Sequence, residues 1–151
     1  MKTISNANSN FKNIGIDVGK SFLDIYIFEK QLHWQIENHP DQLKKLASKL
    51  SRFKVARIVV EATGGYERDL VTELYERELP IIVVQPMKIR QFANAQGVMA
   101  KTDKIDARII AQFGAVMKPE PRALPSPEIR HIRELLARRR QLFQTRTQEL
   151  N

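Results

Sequence analysis

Two short β-rich runs joined by a glycine-containing link constrain the fold of this chain more than any other feature. The runs are Ile14 to Asp17 and Leu23 to Phe28, and the link, Val18 to Ser21, is hairpin-like. The first run ends in an acid, Asp17. A buried strand that ends in an acid holds the carboxylate on rigid backbone at the rim of a sheet, where a metal or phosphate site can be built.

The elements after the hairpin predict a mixed α/β fold. Gln31 to Asn38 alternates apolar and polar residues, which predicts a third strand with Trp34 on its buried face. Pro40 opens an amphipathic helix. The apolar run Val55 to Glu61 is typical of a central strand covered on both faces, and it too ends in an acid.

A βαβ unit follows, which implies parallel strands and a right-handed crossover. An amphipathic helix is predicted over Tyr66 to Glu78, and a buried strand over Pro80 to Val84. We expect the ring of Tyr66 to be buried against the sheet rather than to stack on a substrate. The residues predicted to face inward from the helix are Leu70, Leu74 and Tyr75.

The later part of the chain predicts two more helices before a linker. Met87 to Ala95 suits a short helix, and Gln96 to Lys101 suits a mobile loop. Thr102 or Asp103 can cap the next helix, which carries its apolar residues before Gly114 and Pro119.

These patterns divide the chain into four predicted segments. Residues 1–12 form a flexible N-terminus, 13–118 the α/β domain, 119–127 a proline-rich linker, and 128–151 the start of a long helix with an interrupted apolar stripe. The last segment has no terminating signal, so we expect the chain to be part of a longer protein.

The composition favours a polyanionic partner and narrows the choice of metal ligands. The chain has 25 Lys and Arg against 17 Asp and Glu, a net charge of +8. It contains no cysteine, so any metal must be held by oxygen or histidine. No apolar run approaches the roughly 20 residues that span a bilayer. We therefore expect a cytoplasmic protein without a membrane partner.

Four acids are candidates for one metal site. Asp17 and Glu61 end two predicted strands, where open sheets bind ligands. Asp103 and Asp106 are three residues apart on a predicted helix, which puts them on one face. Carboxylates suit Mg²⁺, and a pair of such ions stabilises both oxygens of a phosphoryl displacement. Each acid alone is more readily explained as a helix cap or a solvated strand end, and the order of the four acids along the chain shifts the balance towards a metal site.

Three blocks of sequence resemble the signature motifs of a known enzyme family. They are Ile14 to Lys20, Glu61 to Gly64, and Lys101 to Ala107. Together they resemble the DEDD transposases of bacterial insertion sequences, of the IS-one-ten type, which includes the Piv-type DNA invertases. The resemblance implies a ribonuclease H-like, RuvC-like domain in which Asp17, Glu61, Asp103 and Asp106 are the catalytic, metal-binding tetrad. The implied cofactor is Mg²⁺, for which Mn²⁺ can substitute.

The same resemblance implies partners and a longer architecture. Family members recombine DNA as multimers, some with a structured guide RNA, which makes DNA, RNA and a second copy of the chain candidate partners. They continue into a coiled coil, which 128–151 resembles, and then into a serine-bearing domain that this sequence lacks. The implied location is the bacterial cytoplasm, at the nucleoid.

Several basic residues are candidates for contacts with nucleic acid, although each can equally be surface charge. They are Lys101, Lys104, Arg108, Arg138, Arg139 and Arg140. The histidines lack ligand spacing, and we expect surface or capping roles for them. The histidines are His33, His39 and His131.

Two other functions remain open from the residues alone. One is a stand-alone nuclease of the Holliday-junction resolvase kind, which needs only the acids and water. The other is a non-catalytic nucleic-acid-binding or assembly module in which the acids are structural.

Overall fold

The computed structural model describes residues 10–97, 103–123 and 126–149, and the chain divides into two compact units, one ending at Pro121 and one starting at Arg122. A five-stranded mixed sheet of order β3-β2-β1-β4-β5 forms the centre of the first unit. The strands are β1 (Lys12–Val18), β2 (Phe22–Ile27), β3 (Leu32–Glu37), β4 (Val55–Glu61) and β5 (Ile81–Val84). The α-helices are α1 (Pro40–Leu50), α2 (Arg68–Glu76), α3 (Pro86–Ala95), α4 (Asp103–Met117) and α5 (Pro127–Glu149).

The strand pairing agrees with the predicted hairpin and βαβ unit. β1 and β2 are antiparallel, as are β2 and β3, whereas β4 is parallel to both β1 and β5. β1 and β4 are therefore internal parallel neighbours. Their carboxyl ends lie at the same edge of the sheet, which we call the carboxyl edge.

Both faces of the sheet are covered. One face carries Ile14, Ile16 and Ile58, which are fully buried. Helices α1 and α2 contact each other and present buried leucines for this face. The predicted side of Trp34 is confirmed: it shares this face with its cross-strand partner Ile25, and the Lys49 ammonium group of α1 lies 4.0 Å from the centre of the indole ring.

The opposite face packs against α4 and α3 through a second apolar cluster. The ring of Phe113 on α4 meets that of Phe92 on α3 edge-to-face, with the ring centres 5.5 Å apart. The buried members of the cluster are Val59, Ile82, Val84, Ile89, Ile109, Ile110 and Phe113. The first unit is therefore a three-layer α/β/α structure.

Helix α4 lies directly on β1 because Gly15 has no side chain. A Cβ atom at Gly15 would overlap the backbone of Ala107 and Ala111, so glycine is required for this approach. At the other end of α4, the Arg57 Nε of β4 donates a hydrogen bond of 3.0 Å to the carbonyl oxygen of Pro119. Since Arg57 lies near the start of β4, α4 runs antiparallel to β1 and β4. Its first turn therefore points towards the carboxyl edge.

Helix α4 continues through Gly114 to Met117; a Cβ atom at Gly114 would lie 2.9 Å from Val59 Cγ2, so glycine allows close packing on β4. One expectation about α2 is wrong. Tyr75 does not face inward but is 46% exposed. The buried residues of α2 are Leu70, Val71 and Leu74, because the apolar stripe is narrower than the sequence pattern indicates.

The second unit contains α5, and its apolar side chains are about half exposed. These are Ile129, Ile132, Leu135, Leu136, Leu142 and Phe143. Within the described part of the chain, no helix combines the length and apolar character needed to cross a membrane.

The two glycines that pack against α4 or within it predict different responses to substitution by alanine. Gly15→Ala forces a methyl group against backbone that cannot rotate away, and should lower the free energy of unfolding by about 3 kcal/mol. Gly114→Ala meets only a valine side chain and gains about 1 kcal/mol of helix propensity, so its net effect should be near zero. Urea denaturation of both variants measures the difference, and equal losses would contradict the close contact of α4 with β1.

Candidate metal centre

Asp17 and Glu61 lie side by side at the carboxyl edge. In the parallel pair, Ile16 is matched with Val60, so the next residue on each strand is an acid. Asp17 shares a face with Gly15, and Glu61 shares one with Val59, both of which contact α4. The two acids therefore point to the α4 side of the sheet from strands about 4.8 Å apart. Both side chains are partly buried and both have polar partners.

The other two predicted acids belong to the first turn of α4. The helix begins at Asp103, and Asp106 directly precedes Ala107, whose backbone lies against Gly15. Because α4 runs antiparallel to β1, its backbone carries this turn towards the edge at which Asp17 lies. The side chains of residues 103–106 are outside the described part of the structure, as are Lys101 and Thr102.

Asp24 is another acid on the α4 side of the sheet, and it belongs to none of the sequence motifs. It lies directly opposite Asp17 in the antiparallel pair and is only 14% exposed. His33 Nε2 lies 2.8 Å from one of its oxygens, and Gln35 Nε2 donates a 3.1 Å hydrogen bond to the other. Both partners lie on β3, so these contacts of the Asp24 carboxylate are made on the side away from β1. The hairpin register alone could have identified Asp24, because opposite residues share a face.

The expected surface or capping roles of the histidines agree with the structure. His39 caps α1 by accepting a hydrogen bond from the amide of Asp41. His131 is exposed on α5, and His33 is exposed on β3, where it lies beside Asp24. Among the residues whose side chains are described, no group of three or more acids and histidines is positioned to hold a metal ion. Asp17 and Glu61 thus form a pair within that part of the chain.

The carboxylate of Glu67 stabilises the loop that follows Glu61, residues 62–67. One carboxylate oxygen of Glu67 accepts hydrogen bonds from the Thr63 hydroxyl at 2.7 Å, the Gly65 amide at 2.9 Å and the Thr63 amide at 3.2 Å. Burial raises the pKa of Glu67, but these hydrogen bonds outweigh burial and hold the pKa below its usual value. The loop therefore keeps this acceptor at neutral pH and loses it only as the pH falls through that lowered pKa.

Tyr66 projects from this loop, and the expectation that its ring is buried is wrong. The residue is 50% exposed. Its neighbours Gly64 and Gly65 have positive φ angles of 83° and 139°, a backbone conformation in which glycine is favoured. This conformation turns the chain before α2, and Tyr66 is left half exposed next to the turn.

The described basic candidates lie on two different units. Arg108 is exposed on α4, two residues after Asp106. Arg138, Arg139 and Arg140 are exposed on α5. The side chain of Lys104 is outside the described part.

Comparison with known proteins identifies the family of this chain. The family model described as transposase, of the DEDD type of the IS110 insertion sequences, matches residues 14–151. Two relatives are the pilin gene-inverting proteins of Moraxella lacunata and Moraxella bovis, each 28% identical over 147 residues. The alignment covers 90% of this chain and 45% of each relative, so the chain spans a little under half of their length.

Solved structures of RuvC share the fold. A Thermus thermophilus RuvC structure superimposes with a TM-score of 0.53 at 16% identity, covering 72% of this chain and 97% of RuvC. RuvC in complex with a Holliday junction substrate gives a TM-score of 0.51 at 15% identity, covering 74% and 98%. The ribonuclease H-like fold expected from the sequence is thereby confirmed. With its motifs matched from Ile14 onward, the chain belongs to the IS110-type DEDD transposase family.

Proposed function

We propose that this chain is the nuclease-like part of a DNA transposase or site-specific recombinase, in which Asp17, Glu61, Asp103 and Asp106 hold divalent metal ions at a scissile DNA phosphate. The main support is the antiparallel course of α4 over β1. It directs the first turn of α4, with two of the acids in its sequence, towards the edge where Asp17 and Glu61 are neighbours. Family membership supports the same assignment.

The donor chemistry at the carboxyl edge fits Mg²⁺. All four proposed ligands are carboxylates, and hard oxygen ligands are those that Mg²⁺ prefers, with Mn²⁺ as a substitute. Two unit charges about 5 Å apart repel by roughly 3 kcal/mol at an effective dielectric constant of 20. A divalent cation between Asp17 and Glu61 would turn this repulsion into attraction. When bound, the metal would neutralise charge on the attacking and leaving oxygens of a phosphate.

The residues of the chain itself would position these ions. Asp17 lies on a central strand between β2 and β4, so its carboxylate would hold metal from the middle of the site. Glu61 would hold one ion from the neighbouring strand. Asp103 and Asp106 would complete the set from α4, where residues three apart share a helix face.

DNA is the proposed substrate. The net charge of +8 favours a polyanion, and one RuvC structure of the same fold is a complex with a Holliday junction. Arg108, exposed near the start of α4, is the described residue best suited to hold a phosphate beside the acids. Lys101 and Lys104 are further candidates from sequence alone. Action on chromosomal DNA implies a location at the bacterial nucleoid, and a structured guide RNA is a second polyanion that suits the same charge.

We further propose that α5 begins a coiled coil that joins two or more copies of the chain. Its leucine, isoleucine and phenylalanine side chains are half exposed along one helix, and Arg138, Arg139 and Arg140 interrupt them. Such a helix gains stability when its apolar stripe is covered by another helix. In this proposal the four segments predicted from the sequence act as lead-in, catalytic domain, linker and assembly helix.

A resolvase-like nuclease that acts without further domains is the second candidate. The specific observation in its favour is that this chain covers 97–98% of the RuvC chains. Cleavage of branched DNA by the 151-residue chain with Mg²⁺ would support it, and lack of cleavage would leave the transposase assignment.

Removal of one carboxylate tests the metal site. Asp17→Asn takes away the central negative charge with little change in shape, and should weaken Mn²⁺ binding at least about 10-fold in titration calorimetry. Asp41→Asn, at a 75% exposed acid on α1, is the matched control and should bind Mn²⁺ as the wild type does. A well-folded wild-type chain that binds no Mn²⁺ would instead support the non-catalytic module.

Shortening the chain tests the proposed role of α5. A chain ending at Pro121 should sediment as a monomer, whereas the 151-residue chain should sediment as a dimer or larger species.

Replacing Arg138, Arg139 and Arg140 tests their proposed contact with DNA. Their loss should flatten the dependence of DNA affinity on salt, by about 0.9 in the log–log slope for each phosphate that these arginines neutralise. An unchanged sedimenting mass would contradict the coiled coil, and an unchanged salt slope would remove these arginines from the DNA surface.

A further inference from the structure

Two loops leave the carboxyl edge next to the proposed metal ligands. The first loop, residues 19–21, joins β1 to β2 shortly after Asp17. The second loop, residues 62–67, follows Glu61 and leads into α2. A shift of one loop relative to the other would act on the ends of β1 and β4, because Asp17 and Glu61 each lie within two residues of their loop.

One side chain from a third segment contacts both loops. Asn38, just after β3, donates from its Nδ2 to the carbonyl oxygen of Gly19 at 3.0 Å and to that of Tyr66 at 3.4 Å. Its own backbone amide donates to the carbonyl oxygen of Ser21 at 2.8 Å. The side-chain amide carries two N–H groups, so it can serve both acceptors at once. The Asn38 side chain therefore bridges the first loop to the second.

The second loop can transmit this restraint because it is internally rigid. The Glu67 carboxylate binds Thr63 and Gly65 at three points, which ties the loop to the start of α2. At the strand side, the amide of Ala62 donates 2.9 Å to the carbonyl oxygen of Val84 on β5. The hydrogen bond from Asn38 to the Tyr66 carbonyl oxygen therefore restrains the residues beside Glu61 as well as Tyr66 itself.

We propose that Asn38 is a positioning residue for the metal centre, which sets the separation of Asp17 and Glu61 by joining the loops that follow them. This inference rests on the proposed metal site and adds a residue from outside the three sequence blocks of the family motif. Hydrogen bonds that orient metal ligands commonly change metal affinity 10- to 100-fold when removed. Asn38 acts on backbone carbonyls, so its effect is expected near the lower limit, at about 10-fold.

The test compares Asn38→Ala with Asn94→Ala, a change of the same kind at an exposed position on α3. Titration of the 151-residue chain with Mn²⁺ should show binding about 10-fold weaker for Asn38→Ala and unchanged for Asn94→Ala. Hydrogen exchange without metal should show faster exchange of the Gly19 and Thr63 amides in Asn38→Ala only. The melting temperature in chelator serves to detect a general loss of stability.

Asn38→Asp separates positioning from electrostatics. The new carboxylate faces the same two carbonyl oxygens and cannot donate, so the bridge is lost, although the added negative charge would by itself strengthen cation binding. Positioning predicts weaker Mn²⁺ binding than in the matched Asn94→Asp variant. Equal Mn²⁺ affinity of wild type and Asn38→Ala, with both folded, would overturn the role of Asn38. Absence of Mn²⁺ binding in the wild type would instead overturn the metal site itself.

Discussion

The close contact between the backbone of α4 and Gly15 determines how the layers of the first unit pack. A strand and a helix can approach this closely only where no side chain intervenes, and Gly15 provides that point on a central strand. The approach buries Ala107 and Ala111 completely and aligns α4 antiparallel to β1. Without it the start of α4 would have no defined place relative to the ends of β1 and β4.

This packing connects a structural glycine to the proposed chemistry two residues away. Gly15 and Asp17 share one face of β1, so the residue that admits the helix and the residue that would bind metal point in the same direction. Hydrogen bonds within and between the two loops add a second restraint on the positions of Asp17 and Glu61. Glu67 stiffens the loop after Glu61, and Asn38 links that loop to the one after Asp17. Acids on rigid strands, with their loops tied together, are suited to holding ions at a set separation.

Much of this arrangement can be predicted from the sequence, and the exceptions have physical causes. Strand endings mark Asp17 and Glu61, because an acid that closes an apolar run stands at a sheet edge. The sequence does not reveal that Gly114 lies inside α4, packed against the side chain of Val59. The predicted burial of Tyr66 and Tyr75 is wrong because exposure of an aromatic ring depends on loop geometry and on stripe width. Asn38 and Glu67 are absent from any motif, since their partners are mostly backbone groups.

In the proposed arrangement, one divalent-metal site lies between the ends of β1 and β4 and the first turn of α4. Anomalous diffraction from crystals of the chain soaked in Mn²⁺ would locate this site. We expect anomalous density within about 2.5 Å of carboxylate oxygens of both Asp17 and Glu61, and none at that edge in Asp17→Asn crystals. Density at other acids alone, or Mn²⁺ bound equally in the variant, would contradict it.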